Sequence, residues 1–110
     1  MLTKQKENYT LVLATENSFL EFFDSFLVSE KKLKNQNIIV QVSTTISANI
    51  ADFLLFFDIA IKKKKNGTSF VIVNSCCNAD DLPEELNIVP TLQEAKDIIE
   101  METIERQLGF

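Results

Sequence analysis

Residues 37–74 read NIIVQVSTTISANIADFLLFFDIAIKKKKNGTSFVIVN, and the fold follows from how that stretch divides. Asn37 to Val42 sets Ile38, Ile39, Val40 and Val42 almost in succession, the composition of a strand covered on both faces. From about Ser47 to Asn66 the chain is apolar nearly all round between Ile50 and Ile61, interrupted only by Asp52 and Asp58. That length and pattern predict one continuous helix of about five turns, with Ser47 as its N-cap. Phe70 to Val73 is a second buried strand. Strand, helix and strand in this order make a βαβ unit, so the two strands are expected to be parallel neighbours with a right-handed crossover.

Within the helix, Ile46, Ile50, Phe53, Leu54, Phe57 and Ile61 make one inward stripe. Leu55, Phe56 and Ile59 then fall on other faces and need a neighbouring helix or a partner. Lys62–Lys65 and Gly67 close it. A lysine run also occurs in nucleic-acid and membrane patches, but cations in a last turn oppose the helix dipole and a following Gly takes the left-handed conformation. Capping accounts for the run.

Working outward, Leu2–Lys6 and Tyr9–Leu13 read as an edge strand and a second strand, paired in a hairpin around Glu7-Asn8. Ser18 and Glu21 have capping-box spacing, and Phe19, Phe22, Phe23, Phe26 and Leu27 recur at helical spacing behind them. This stripe is expected to pack on the sheet. Beyond residue 74, Asp81–Leu86 with Pro83 reads as one short helical turn and Asn87–Val89 as a brief strand. Thr91 and Glu94 open a final helix that runs to about Leu108 and stops at Gly109. Leu92, Ala95, Ile98, Ile99, Met101 or Glu102, Ile104 and Leu108 form its core stripe. The order β-β-α-β-α-β-(α)-β-α predicts a single α/β domain spanning 1–110, with a central mixed sheet of about four or five strands and about four helices.

The 110 residues contain no His. That removes the usual general base, the Ser-His and Cys-His pairs and the commonest zinc ligand. The two Cys, Cys76 and Cys77, are adjacent and lack redox or zinc spacing, while Asp80 and Asp81 after them disfavour a thiolate. With two Gly in the whole chain there is no phosphate-binding loop, and Glu94, Asp97 and Glu105 lie along the exposed side of the last helix. No enzymatic activity, cofactor or metal is therefore expected. A net charge of −5 argues against a nucleic-acid partner. The charge is uneven: residues 78–110 carry two basic and nine acidic side chains, a solvated acidic surface. No apolar run approaches the roughly 18 residues of a membrane span and MLTKQKENYT has no apolar signal region, so a cytoplasmic protein without membrane contact is expected.

The remaining functional signal is a hydroxyl cluster, Ser43, Thr44, Thr45 and Ser47, at the carboxyl end of the 37–42 strand. The loop 74–80 leaves the same edge, where open α/β sheets usually seat their ligands. Ser47, Asn49, Phe56 and Asn74 are the candidate partner-binding residues.

This element order, with the unit IIVQVSTTISANIADFLLFFDIAIKKKKNGTSFVIV at its centre, resembles the STAS domain, the fold of bacterial anti-sigma factor antagonists that also occurs at the ends of anion transporters. The ending NIVPTLQEAKDIIEMETIERQLGF is similar to that of small stand-alone members from Bacteroidetes-type bacteria. Some of those are named ribonuclease Z; that enzyme class needs a His-rich dizinc motif, so the activity does not carry over to a chain without His. The resemblance implies an Asp-Ser pair, phosphorylated on Ser, at the start of the helix after the central strand. Registered on Gly67, that pair falls near Asn49 and Ile50, where this sequence has neither Asp nor Ser. Ser47 is the closest hydroxyl. The resemblance thus implies a non-enzymatic regulatory module with an anti-sigma-factor-like or kinase-like protein partner, and leaves open whether it is a monomer or a weak dimer. The alternative is a small-ligand or nucleotide sensor using the same edge.

Overall fold

The computed structural model describes residues 1–33, 35–43, 46–75 and 82–109. Five strands, β1 (Leu2–Gln5), β2 (Thr10–Leu13), β3 (Ile38–Gln41), β4 (Phe70–Val73) and β5 (Asn87–Val89), form one mixed sheet in the order β1-β2-β3-β4-β5. Only β1 runs antiparallel; β2 to β5 are parallel, with Ile38 opposite Phe70 and Val40 opposite Ile72. The expected βαβ pairing of β3 and β4 and the opening hairpin are both present. The helices are α1 (Phe19–Glu30), α2 (Ile50–Leu54), α3 (Phe57–Lys65) and α4 (Leu92–Gln107), with a 3-10 turn at Lys31–Leu33.

The period-two alternation of each strand sends its side chains to two different cores. Val12, Ile38, Val40, Phe70, Ile72 and Ile88 join the helical residues Phe19, Phe22, Phe26, Phe53 and Phe56 on one face. Leu11, Ile39, Val71 and Val73 meet Ala95 and Ile99 of α4 on the other. Helix starts follow the sequence at two places: Ser18 Oγ accepts from the Glu21 amide at 3.2 Å, and Thr91 Oγ1 from the Glu94 amide at 3.2 Å. Gly67 takes φ +76° after the lysine run, as a left-handed C-cap requires.

The single five-turn helix over 47–66 is a pair. At its middle, Leu55 N–H donates to Asp52 O and Phe56 N–H to Phe53 O, at 3.1 and 3.0 Å. These three-residue bonds tighten the turn. Phe56, rather than Phe57, then falls under Phe53, and α3 continues with Ile59, Ala60 and Lys63 inward. The inward stripe is corrected accordingly: Leu54 is exposed, Ile50, Phe57 and Ile61 are half-buried, and Phe56 and Ile59 are core residues. Leu27 in α1, Met101 and Ile104 in α4 and Leu108 just after it are likewise exposed, so each stripe is narrower than its apolar spacing implied. Of the alternatives at 101 and 102, Glu102 is the one turned partly inward. Pro83 to Leu86 is a turn closed by a 3.0 Å bond from Leu86 N–H to Pro83 O, not a helix.

Candidate functional site

The carboxyl edge of the parallel strands is built around the entrance to α2. Asn49, not Ser47, caps this helix. Its Oδ1 accepts from the Asp52 amide and its own amide donates to Asp52 Oδ2, both at 3.0 Å. The sequence shows this reciprocal cap as N-x-x-D, the same logic as the Ser/Thr form. Ser47 lies two residues ahead, exposed, and Ser43 is exposed where the chain leaves β3. Ile46 between them anchors the entrance, 5% exposed and packed in the first core. Thr44, Thr45, Cys76 and Cys77 lie outside the described residues, as does most of the loop 74–80.

Two candidate residues are not on this surface. Asn74 is buried, with Nδ2 donating to Val42 O at 2.8 Å and its amide to Val89 O at 3.0 Å. It ties the carboxyl ends of β3, β4 and β5 together, which is structural work. Phe56 is fully buried. Its ring lies 5.1 Å from Phe23, 5.4 Å from Phe26, 5.6 Å from Phe70 and 5.7 Å from Phe19, centroid to centroid. The accessible apolar residues beside it are Leu54 and Leu55, 41% and 45% exposed. Among the described residues, those exposed around the α2 entrance therefore include Ser43, Ser47, Asn49, Leu54 and Leu55.

The opposite, amino edge holds polar groups that composition alone did not assemble. Ser69 Oγ donates to Glu102 Oε1 at 2.6 Å and accepts from Arg106 Nη1 at 3.2 Å, while its amide donates to Asn37 Oδ1 at 2.8 Å. A hydroxyl on a carboxylate has the form of an activated nucleophile, but Ser69 is only 1% exposed and no substrate reaches it. The network fastens α4 to β4. Lys63 is also buried: its Nζ donates to Leu33 O at 2.7 Å and Gln36 O at 2.8 Å. Burial, only partly offset by the Glu30 charge, pushes its ammonium down to about 8. Lys63 falls on the buried face because the tightened turn at Leu55 and Phe56 sets the 53-56-60-63 register, which the sequence alone does not fix.

Among the described residues no three His, Cys, Asp or Glu side chains converge to hold a metal, and no helix is long and apolar enough to cross a membrane. The chain matches no protein-family model, and no curated protein matches it.

Proposed function

We propose that this chain is a non-enzymatic, STAS-like interaction module that docks a protein partner over the entrance to α2. One observation carries the reading. Among the described residues, the α2 entrance at the carboxyl edge carries exposed Ser43, Ser47 and Asn49, and α2 ends in half-exposed Leu54 and Leu55. Exposed leucines rimmed by polar groups make a modest contact patch. The register that places the family's phosphoacceptor near Asn49 falls on the N-cap, which carries an amide and no hydroxyl. Among the described residues Ser47 and Ser43 are accessible acceptors nearby, and a phosphate on either adds about two negative charges next to the docking surface. This module works in the cytoplasm, without cofactor or metal.

The test is affinity capture from the native cell followed by mass spectrometry of the partner and of residues 43–47. Leu55→Glu and Ser47→Arg, both at exposed positions, are expected to abolish capture while leaving the melting temperature within a few degrees. Capture that survives both substitutions would overturn the docking site.

A further inference from the structure

Two lysine runs that lie far apart in the sequence meet at the amino edge. Lys31 and Lys32 follow α1, and Lys62–Lys65 end α3. Because both helices run back against the parallel strands, both deliver their last turns to the same end of the molecule. A cavity of about 420 Å³ lies between them, lined by Glu30, Lys31, Lys62, Lys63, Lys65 and Asn66.

We propose that this cavity binds a small ligand bearing two or more phosphate groups. Four lysines line it against the single carboxylate of Glu30. The C-termini of α1 and α3 add partial negative charge, at most about half a unit each. That leaves about two net positive charges concentrated in one concavity. Among the described residues, no ion pair engages Lys31, Lys32, Lys62, Lys64 or Lys65. The lysines repel one another across the cavity, and an arriving polyanion relieves that repulsion. Ammonium groups on flexible stems act as point charges that adapt to phosphate oxygens without fixed geometry.

The site is also held open in advance. The Lys63 amine bridges from α3 to the carbonyls of Leu33 and Gln36. Thr68 N–H and Oγ1 both return to Lys63 O, at 3.0 and 3.1 Å. These bonds tie the end of α3 to the segment after α1, so the backbone on both sides of the cavity is joined before a ligand arrives.

The surroundings select a compact ligand over a polymer. Lys64, from the same run, lines a different cavity with Arg106 and with Glu84, Glu85, Glu102 and Glu105. A nucleic-acid backbone leaving the lysine cleft would run onto these carboxylates. The phosphates can belong to a soluble oligophosphate or to a phosphorylated lipid headgroup, and the chemistry of the cleft is the same for both.

The probe is inorganic tripolyphosphate, titrated into the full chain with sodium chloride at matched ionic strength as reference. A saturable rise in melting temperature of roughly 5 °C or more is expected. The triple variant Lys31→Gln, Lys62→Gln, Lys65→Gln is expected to weaken binding about tenfold or more, whereas Lys4→Gln, Lys6→Gln, Lys96→Gln, with the same change in net charge, leaves it within about twofold. Sedimentation with phosphatidylcholine vesicles containing phosphatidylinositol bisphosphate separates the sources: co-sedimentation lost in the first triple variant indicates a headgroup, and its absence beside tripolyphosphate binding indicates a soluble ligand. No saturable shift beyond the chloride reference overturns the proposal. So does equal binding by the two triple variants, or tighter binding of duplex DNA than of tripolyphosphate.

Discussion

The two faces of the sheet are held by different means. One is covered by α1, α2 and α3 through interlocked Phe rings, and Phe56 lies within 6.5 Å of five of them, centroid to centroid. Among the described residues the other is covered by α4, through aliphatic contacts of Ala95 and Ile99 against Leu11, Ile39, Val71 and Val73. The aromatic face concentrates its packing in one side chain, so it is vulnerable at one point. On the aliphatic face α4 leaves Met101 and Ile104 in water, and the buried cluster is smaller and has no central aromatic ring.

The largest expected effect follows from that concentration. Phe56→Ala removes the ring at the centre of the aromatic cluster, where rigid neighbours cannot collapse into the space, and costs about 3–5 kcal/mol. Chemical denaturation read by near-ultraviolet dichroism measures it. A loss below about 1 kcal/mol would show that the cluster is not organised on Phe56. Ile99→Ala, in the middle of α4, is expected to cost about 2–3 kcal/mol, the lower part of the range for such truncations, because a lone helix can settle onto the sheet. If Ile99→Ala costs more than Phe56→Ala, the ranking of the two faces is inverted.

Strand identities and pairing were legible because runs such as IIVQV and FVIV have only one reading at their lengths, and because Ser18, Thr91 and Gly67 carry local capping chemistry. What escaped was set by a single tightened turn. Leu54-Leu55-Phe56-Phe57 is apolar at every position, so hydrophobic periodicity gives no register there, and three-residue bonds at Leu55 and Phe56 decided which Phe points inward. The same shift turned Phe56 from a docking residue into a core residue and buried Lys63. The lysine cleft was illegible for another reason, since nothing in either run shows that α1 and α3 end side by side.

Lys63 sharpens the contrast at the edge of the aromatic face. Replacing it with Met keeps the apolar stem but leaves the Leu33 and Gln36 carbonyls without its amine, for a loss of about 1–3 kcal/mol at pH 7. The wild type carries a pH signature as well. The folded ammonium titrates near 8 and the unfolded one near 10.5. Between those values the unfolded chain binds more protons, so this group makes stability rise with pH across that window and adds no slope below it. Denaturation midpoints at pH 7, 8, 9 and 10 should therefore diverge, wild type gaining on Lys63→Met as the pH rises past 8, and parallel or converging midpoints would show that burial does not depress this ammonium.

The smallest effect distinguishes two neighbours at the docking edge. Asn49 both accepts from the Asp52 amide and donates its own amide to the Asp52 carboxylate, whereas Ser47 caps nothing. Asn49→Ala leaves the Asp52 amide of a five-residue helix without its acceptor and is expected to cost about 1 kcal/mol. Ser47→Ala changes an exposed hydroxyl and stays within about 0.5 kcal/mol. Because α2 feeds directly into the turn that presents Phe56, the Asn49→Ala loss reports how firmly the aromatic face depends on its helix entrance. Equal effects at the two positions would move the cap back to Ser47 and with it the start of the helix. A gap of about 1 kcal/mol would leave Ser47 free of any structural duty, available for partner contact or phosphorylation at little cost to the fold.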